Sequence, residues 1–251
     1  PVEYENYQVR AVENEPFFLM RWMRRSKLAR KRRFVESYSN MESGTIVDVG
    51  CSTGLFLREM QVHGWNVSGV EPSATAAAYA SKRFGIEVAA GNLLDVSYEP
   101  GSIDVVTFWD VLEHTFSPRA QLRAVSSWLK PGGGVALSVP NWKSLDRRLF
   151  GRFWQGLDAP RHLFVFDVDT LSSYLSDAGL EVTHVSCFAP GYFAFVMSLD
   201  RWLHSISPQL ARVTNRIVLV PGFRMLFVPW FWLLNILGHG STISMYARKV
   251  D

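Results

Sequence analysis

The sequence has little cysteine and no tract that is typical of a linker. Its 251 residues include two cysteines, Cys51 and Cys187, which are too few for a disulfide framework. No signal-peptide pattern stands at the start, so we expect a reducing, cytoplasmic environment. No Pro/Ser-rich or low-complexity segment divides the chain, and 48% of its residues are hydrophobic. We therefore predict one domain over residues 1–251.

Spacings that indicate a metal site are also absent. The six histidines and the acids near them show neither an H-x-x-x-H pattern nor a cluster of ligands along the chain. The sequence therefore predicts no metal. A membrane-spanning run is not expected either. The most apolar stretch, residues 217–238, has about the required length, but two prolines, a glycine and an arginine interrupt it.

Positive charge is unevenly distributed, although the net charge is only +3. Residues 21–33 (RWMRRSKLARKRR) carry eight basic side chains and no acid. Trp22, Met23 and Leu28 lie between them, and the pattern predicts a helix in a basic N-terminal segment, residues 1–44. Such a segment suits an anionic partner, either a membrane surface or an acidic substrate. It is equally consistent with a solvated helix that covers one end of a sheet.

A strand, a tight turn and a helix follow one another between Thr45 and Leu57 (TIVDVGCSTGLFL). Ile46, Val47 and Val49 predict a short buried strand, and residues 50–54 predict a turn whose backbone N–H groups converge on a ligand. Glu71 ends the next apolar run, where a carboxylate of a doubly wound fold accepts hydrogen bonds from ribose hydroxyls. These features predict a nucleotide-type pocket.

The turn lacks the glycine spacing of dinucleotide-binding proteins. A G-x-G-x-x-G/A pattern lets the backbone approach a pyrophosphate and lets the helix pack closely on the strand. Ser52 and Leu55 stand at the second and third positions of that pattern. The sequence therefore disfavours a pyrophosphate as the ligand.

Strand and helix signals alternate from Thr45 onward, as a parallel α/β sheet requires. The predicted strands cover residues 46–49, 66–70, 86–89, 103–109, 134–139, 181–188 and 241–249. After the helix that follows the turn at residues 50–54, the predicted helices cover residues 73–84, 117–130 and 167–178. Ser73 is expected to cap the first of these helices, Pro118 to begin the second, and Gly85 and Gly179 to end the first and third.

Five segments resemble, in order and spacing, the motifs of the class I S-adenosylmethionine-dependent methyltransferases. They are Asp48–Gly54, Gly69–Ser73, Gly91–Asp95, Phe108–His114 (FWDVLEH) and Leu129–Gly134 (LKPGGG). The resemblance covers about residues 45–188 and the final strand. It implies a Rossmann-like, doubly wound α/β sheet of seven strands, mostly parallel with an antiparallel last strand and helices on both faces. It also implies S-adenosylmethionine as cofactor and S-adenosylhomocysteine as product.

The resemblance assigns cofactor-binding roles within the first four segments. Glu71 is expected to hold the ribose, Asp95 to bracket the adenine, and Asp48 to orient the turn or the methionine ammonium. Structural roles remain open for these residues, and Cys51 is expected to fill space in the turn. The predicted cofactor-binding residues are Asp48, Gly50, Cys51, Ser52, Thr53, Gly54, Glu71, Pro72, Asn92, Leu93, Asp95, Trp109 and Asp110.

Two histidines are the predicted proton acceptors. Methyl transfer to a hydroxyl requires a base with a pKa near the operating pH, which favours histidine. His114 ends the WDVLEH segment, and His162 lies in the polar connection after the fifth strand. Trp154, Arg161 and Tyr192 are predicted to contact the acceptor. Structural roles remain open for both histidines, a backbone hydrogen bond for His114 and the anchoring of a loop for His162.

An aromatic-rich insertion is predicted over residues 189–240, between the last two strands. We expect it to form a lid over an apolar acceptor, a self-association surface for a homodimer, a peripheral membrane contact, or additional core. With the basic segment, it favours O-methylation of a hydrophobic, lipid-linked or glycan-type small molecule.

Three other functions remain open. A nucleic-acid methyltransferase would use the basic segment, but residues 110–113 (DVLE) stand where related enzymes that methylate bases usually have D/N-P-P-Y/F. Nucleic acid is therefore not a favoured partner. A nicotinamide-dependent oxidoreductase shares the sheet, and a non-catalytic scaffold can keep the pocket.

Overall fold

Seven strands form one sheet in the computed structural model, which describes residues 18–187, 191–218 and 220–250. The strands are β1 (Thr45–Val49), β2 (Asn66–Glu71), β3 (Glu87–Ala90), β4 (Ile103–Trp109), β5 (Leu129–Pro140), β6 (Leu180–Ser186) and β7 (Thr242–Lys249). Their order across the sheet is β3-β2-β1-β4-β5-β7-β6. β7 runs antiparallel to β5 and β6, whereas β1 to β5 pair in parallel. The predicted Rossmann-like sheet with an antiparallel last strand is confirmed.

Helices cover both faces of this sheet, as predicted. In the described residues they are α1 (Phe18–Ser39), α2 (Leu55–Gln61), α3 (Ala74–Phe84), α4 (Pro118–Trp128), α5 (Leu145–Phe150), α6 (Val168–Ser176), α7 (Tyr192–Ile206), α8 (Pro208–Val218) and α9 (Pro221–Ile236). Side chains alternate along β1 because successive residues of a strand point to opposite faces. Ile46 packs with residues of α1 and α2, whereas Val47 packs with residues of α4 and α6.

Most predicted helix signals lie where the structure uses them. Ser73 caps α3 by accepting a hydrogen bond from the backbone N–H of Ala76 at 3.2 Å, and Gly85 ends that helix with a φ of 68°. Pro118 begins α4. These caps follow from residue chemistry over a few neighbouring positions, which is why the sequence predicts them well.

The predicted boundary between α4 and β5 is wrong. The helix was expected to continue to Lys130, but it ends at Trp128 and β5 begins at Leu129. Pro131 disfavours a helical conformation at the residue before it. Leu129 instead pairs with Ile103 of β4, and the Lys130 ammonium donates to the Asp104 carboxylate at 2.8 Å. These contacts lie across the sheet and leave no local signal.

The insertion between β6 and β7 consists of α7, α8 and α9. Phe195 of α7 and Phe231 of α9 pack ring to ring at 5.9 Å, so the inner sides of two helices join. Their outer sides are exposed, with Leu226 exposed to 73% and Trp232 to 62%. None of the described helices combines the length and the apolar character needed to cross a membrane. Residues 1–17 of the predicted basic segment, Phe188 at the predicted end of β6, and residues 189, 190 and 219 of the predicted insertion lie outside the described residues.

The basic helix α1 lies on the sheet face that α2 also covers. Val35 is fully buried there, and the Tyr38 ring stacks on His184 of β6 at 3.7 Å. Arg32 donates to Glu36 at 2.6 Å and to Glu59 at 3.2 Å. Part of the positive charge of α1 is therefore neutralised within the fold, and the helix covers the sheet as one of the two interpretations expected.

Candidate active site

A cavity of about 740 Å³ opens at the carboxyl edge of the sheet. We call it the first cavity. It is lined by residues that follow four parallel strands, and Arg161 completes it from the connection after β5. Ligands of open α/β sheets bind at this edge, beside the point where the strand order reverses. β1 and β4 flank that point here, because β2 continues the sheet on one side and β5 on the other.

The turn after β1 is fixed by close packing. Gly50 has a φ of 68°, and a Cβ built on it would lie 2.6 Å from Cγ2 of Val111. Gly54 has a φ of 74°, and a Cβ there would lie 2.7 Å from Cβ of Ala80 in α3. Both positions require a residue without a side chain. Gly50 lines the first cavity, whereas Cys51, Ser52, Thr53 and Gly54 form the turn behind it.

Glu71 holds this turn and lines the first cavity. Its carboxylate accepts hydrogen bonds from the backbone N–H of Ser52 at 2.7 Å and of Ser73 at 3.0 Å. The side chain is only 8% exposed. A carboxylate fixed by two backbone donors at the end of the second strand suits recognition of ribose hydroxyls.

Asp48 lies beneath the turn, where it is 3% exposed. It accepts a hydrogen bond from the Thr107 hydroxyl at 2.6 Å. Burial raises its pKa, while the Thr107 bond and the positive charge of Lys31 oppose that shift. Asp48 does not line the first cavity. Its carboxylate contacts Thr107 of β4 instead, so in the structure it joins two neighbouring strands.

Residues that follow β2 and β3 form the far end of the first cavity. Pro72, Asn92, Leu93 and Asp95 all line it. The Asn92 amide donates to the Asp95 carboxylate at 3.3 Å, and Leu93 is 3% exposed. Apolar side chains beside a hydrogen-bonding rim are suited to a planar base. The structure therefore places these four predicted residues together.

Trp109 and Asp110 end β4, but they face different spaces. Asp110 lines the first cavity and also a second cavity of about 360 Å³. Trp109 lines only the second cavity, which differs from the predicted contact with the cofactor. Asp110 has a φ of 59°, and its carboxylate accepts from the Ser138 hydroxyl at 3.0 Å. That bond orients Asp110 between the two cavities.

His114 and His162 are neighbours, with ring centroids 4.6 Å apart. Nδ1 of His114 lies 2.9 Å from the Arg161 carbonyl, and Nδ1 of His162 lies 2.8 Å from the Gly156 carbonyl. A carbonyl only accepts, so each Nδ1 is the donor, and in the neutral form of each ring Nε2 keeps its lone pair. His114 lines the first cavity, whereas His162 lies behind it.

Titratable neighbours tune this pair of rings. Burial and the neighbouring His114 lower the pKa of His162, against the effect of the Gly156 carbonyl. Burial raises the pKa of Glu113 to about 8, and the charge of Asp110 adds to that shift. One carboxylate oxygen of Glu113 is buried without a hydrogen-bond partner among the described residues. A protonated Glu113 carboxyl and a neutral His162 imidazole near neutral pH are suited to proton transfer.

The fold assembles a possible set of metal ligands that the sequence spacing does not show. Ligand atoms of Glu113, His114 and His162 lie within 4.8 Å of one another. The prediction of no metal depended on spacing along the chain, and Glu113 and His162 are far apart there. The spacing argument therefore does not apply to these three residues.

The three predicted acceptor contacts separate in the structure. Arg161 lines the first cavity and pairs with Asp158. The contact predicted for Trp154 is wrong, because this side chain is 1% exposed and packs against Trp142 at 6.1 Å. Tyr192 lines neither cavity, and its hydroxyl donates to the carbonyl of Val218, which ties α7 to α8. Large aromatic residues in a connection are signals of packing as often as of binding.

Lys31 and Glu113 are candidate functional residues that the sequence analysis missed. Lys31 is one of eight basic residues in a run, and no local feature distinguishes it from the others. Glu113 precedes His114, which was the residue of that segment predicted to accept a proton. Only the fold shows that Lys31 reaches the edge of β4, with Nζ 4.8 Å from the centre of the Trp109 ring. Lys31 lies four residues before the buried Val35, so both are on the same side of the helix. This spacing is the signal in the sequence that could have identified Lys31.

The fold defines a protein of the doubly wound α/β class with a cavity at the carboxyl edge of its sheet. A model of the methyltransferase domain family matches residues 20–185. The chain therefore belongs to the class I S-adenosylmethionine-dependent methyltransferases, as its motifs predicted.

Comparison with known proteins gives relatives of partial length. The ubiquinone biosynthesis O-methyltransferase of Ralstonia nicotianae is 36% identical over 114 residues, which cover 42% of this chain and 47% of that protein. The chain thus spans about half the length of the curated relatives it matches.

Two solved structures share the fold at low identity. The Haemonchus contortus phosphoethanolamine N-methyltransferase 2 in complex with S-adenosylmethionine has a TM-score of 0.60 at 18% identity, over 89% of this chain and 53% of that chain. The geranyl diphosphate C-methyltransferase of Streptomyces coelicolor, in complex with Mg²⁺, geranyl diphosphate and S-adenosylhomocysteine, has a TM-score of 0.59 at 15% identity, over 88% and 79%. These likenesses extend over most of this chain.

The residues of the first cavity fit S-adenosylmethionine. Its volume is in the range of cofactor sites, and Glu71 presents a fixed, buried carboxylate for the ribose. Pro72, Leu93 and Val111 offer apolar contacts for the adenine. The Gln121 side-chain oxygen is buried at the wall of the cavity without a partner in the described part of the chain. An unpaired buried acceptor of this kind is available to a ligand donor.

Proposed function

We propose that the protein transfers a methyl group from S-adenosylmethionine to a hydroxyl of a hydrophobic, lipid-linked or glycan-type small molecule. The observation that carries this proposal is the His114 imidazole at the wall of the first cavity, which directs Nδ1 to the Arg161 carbonyl and has the His162 ring packed behind it. The O-methyltransferase name of the sequence relative supports the same reaction.

The chain's own residues bind, orient and accept a proton. Glu71 holds the ribose, and Asp95 and Leu93 the adenine. Most backbone N–H groups of the turn at residues 50–54 bond within the protein instead, as that of Ser52 does to Glu71. The cofactor, when bound, supplies a methyl group that its sulfonium has already activated. The protein therefore has to align the acceptor and exclude water, and positioning alone can lower such a barrier by about 7–11 kcal/mol.

His114 is the proposed proton acceptor. It lines the first cavity, and the Arg161 carbonyl fixes its Nδ1 hydrogen, so Nε2 faces the proton of a hydroxyl. His162 packs edge to face with it and holds the orientation of the ring. The lowered pKa of His162 keeps this neighbour neutral near pH 7. A neutral neighbour leaves the adjacent imidazole free to accept a charge.

Helices α8 and α9 are proposed to rest on an anionic membrane surface. Residues 201–241 contain no Asp or Glu, while Arg212 and Arg216 lie on α8. Apolar side chains of α9 such as Met225 and Leu226 are more than 70% exposed. An apolar face beside arginines, on helices that contain no acid, fits an anionic lipid surface better than a copy of the same positive face. The proposed location is therefore the cytoplasmic surface of a membrane.

The proposal is tested with radiolabelled S-adenosylmethionine and hydroxylated acceptors in anionic vesicles. We expect label in a methyl ether, with no change when a chelator is added. If the chelator removes activity and Mg²⁺ restores it, the role of Glu113, His114 and His162 would be to bind a cation rather than to accept a proton. Absence of label in every acceptor, together with saturable cofactor binding, would contradict the proposed reaction.

Vesicle flotation tests the location. The protein is expected to float with anionic vesicles and to remain behind with neutral ones. A concentration-dependent dimer in solution that no longer floats would assign the exposed face to self-association instead.

A further inference from the structure

The second cavity is formed by elements that are far apart in the sequence. Its walls come from α1, from the ends of β4 and β5, from the start of β7, and from the start of α7. Its volume of about 360 Å³ is sufficient for a small ring system. The residues that line it are Lys27, Arg30, Lys31, Phe34, Trp109, Asp110, Ser138, Phe193, Ala194, Thr242 and Ser244.

Asp110 connects this cavity to the cofactor side. Among the residues that line the two cavities, it is the one that both share. Its backbone N–H donates to the Ser138 carbonyl at 3.0 Å, and its carboxylate accepts from the Ser138 hydroxyl at 3.0 Å. A methyl donor and its acceptor have to meet within contact distance. The second cavity therefore lies where an acceptor can approach the donor across one residue.

The walls of the second cavity combine aromatic surface with positive charge. The rings of Trp109 and Phe34 pack edge to face with centroids 6.0 Å apart. Phe193 of α7 lines the same cavity, and 65% of its surface is exposed. Three cationic residues of α1 line the cavity, whereas Asp110 is the single acid among the lining residues. The indole N–H of Trp109 is buried and has no hydrogen-bond partner among the described residues.

Lys31 is the most enclosed of the three cations. Its ammonium lies 4.8 Å from the centre of the Trp109 ring, an arrangement that favours a cation over an aromatic face. Burial lowers its pKa, with Lys27 adding to that effect, while the charges of Asp110 and Asp48 oppose it. Among the described residues, no carboxylate oxygen lies within 4.0 Å of the Lys31 ammonium. An enclosed ammonium without a close anion gains from one supplied by a ligand.

We propose that the second cavity binds the acceptor as an aromatic anion, with its ring against Trp109 and Phe34 and its carboxylate or phosphate at Lys31. This inference rests on the proposed methyl transfer, since it concerns the acceptor of that reaction. Lys31 is a specificity-determining residue that selects an acid over its neutral analogue. Arg30 and Lys27 add positive charge at the entrance, and the Trp109 N–H is available to an oxygen of the ligand.

A purely structural role for Lys31 makes a different prediction. If the ammonium only balances Asp48 and Asp110, removing it weakens the turn and the cofactor site without changing the choice between acidic and neutral ligands. The preference for the acid is therefore the readout that separates the two roles. Lys31→Arg keeps the charge and serves as the rescuing variant.

Calorimetry with two matched probes tests the inference. 6-Hydroxy-2-naphthoate carries a ring, a hydroxyl and a carboxylate, whereas 2-naphthol lacks the carboxylate. With S-adenosylhomocysteine present, we expect the acid to bind at least tenfold more tightly than the naphthol. Lys31→Met is expected to reduce that preference to about twofold, and Lys31→Arg to restore most of it. Lys82→Met replaces an exposed lysine that lines neither cavity and is expected to retain the preference.

Equal binding of the two probes to the unaltered protein would overturn the inference. So would an unchanged preference in Lys31→Met, or an equal loss in Lys82→Met. Methyl transfer by the unaltered protein to a neutral acceptor in vesicles, with no preference for the acid, would overturn this inference and leave the proposed function intact. A preference for the acid with no methyl transfer to any hydroxyl would contradict the proposed function alone.

Discussion

The cofactor side and the acceptor side of this protein are built in different ways. The first cavity uses residues that directly follow consecutive parallel strands, and each group of them lies within a few positions of a strand end. The second cavity joins α1 near the start of the chain to α7 and β7 near its end. A site assembled by neighbouring residues leaves a motif in the sequence, whereas a site assembled by distant elements leaves none.

The difference extends to how the two sides are fixed. Buried carboxylates and glycines with close neighbours hold the first cavity, as at Glu71, Gly50 and Gly54. The insertion near the second cavity is held by aromatic contacts and keeps much of its apolar surface exposed. We therefore expect substitutions of the residues that fix the first cavity to change affinity and stability. Substitutions of the proposed proton acceptor His114 and of the second cavity are expected to change turnover and the choice of acceptor.

The largest expected effect is on turnover. His114→Gln removes the proposed proton acceptor at the wall of the first cavity, and we expect the turnover number to fall by about 10²–10⁴-fold. The dissociation constant of S-adenosylmethionine should change less than about threefold, because no proton acceptor is needed for binding. His162→Gln should cost less, because His162 does not line the cavity. Single-turnover kinetics and calorimetry measure the two quantities separately.

His63→Gln is the matched control. This exposed histidine on the loop after α2 also places its Nδ1 near a backbone carbonyl, that of Glu59 at 2.8 Å, but it lies in neither cavity. Its turnover should be unchanged. Normal turnover of His114→Gln would contradict the assignment of the proton acceptor.

The next effect is on cofactor affinity. Glu71→Ala removes a carboxylate that accepts from two backbone N–H groups and lines the first cavity. Hydrogen bonds to a charged group are worth about 1.5–3 kcal/mol each, so we expect affinity for S-adenosylmethionine to fall by about 100-fold. Glu87→Ala removes an exposed carboxylate of β3 and should leave affinity unchanged. Equal affinity of Glu71→Ala and the unaltered protein would dismiss the ribose contact.

A third prediction concerns stability. Gly50→Ala places a methyl group about 2.6 Å from Cγ2 of Val111 at a φ of 68°. Gly101→Ala has the same backbone conformation, with a φ of 67°, but no neighbour within 4 Å. We expect about 1–2 kcal/mol of lost stability at Gly101 from the left-handed conformation, and about 1–3 kcal/mol more at Gly50 from overpacking.

Urea unfolding of both variants measures this difference. The comparison isolates the contact with Val111, since the backbone cost is common to the two sites. Equal midpoints would show that the turn after β1 tolerates a side chain.

The smallest expected effect is on membrane association. Leu226→Ser removes an apolar side chain that is 73% exposed on α9. Burying a leucine in an apolar environment is worth about 1.5–3 kcal/mol, so we expect partition into anionic vesicles to fall by about tenfold. Val62→Ser changes a residue that is 54% exposed at the end of α2 and should partition normally. Equal losses in both variants would indicate nonspecific adsorption of exposed apolar side chains and would contradict a specific membrane contact of α9.

These two sides also explain what the sequence could predict. The strand order, the caps at Ser73 and Gly85, and the grouping of Asn92, Leu93 and Asp95 follow from local patterns, and the structure shows the same arrangement. The predicted acceptor contact of Trp154 shows the limit of local patterns. Aromatic residues serve both binding and packing, and the sequence does not separate the two roles. The role of Lys31 depends on which side of α1 faces the sheet, and this is set by contacts with β6 some 150 positions away.

The cluster of Glu113, His114 and His162 shows the same limit. Two of its members are adjacent in the chain, but the third arrives through a long connection that is held by Asp158. The Asp158 carboxylate accepts from Arg201 of α7 at 2.9 Å and also pairs with Arg161. Such contacts between distant segments decide where His162 lies, and no spacing rule describes them.

The antiparallel pairing of β6 and β7 makes the insertion between them an exchangeable module. Ser186 at the end of β6 pairs directly with Ser244 near the start of β7, so the chain leaves the sheet and returns to it at almost the same point. A short hairpin can join strands that meet in this way. Helices α7 to α9 can therefore be shortened, replaced or grafted without a change of strand order. The residues that line the first cavity all lie outside this junction, so such a change would leave the methyl-donor side in place.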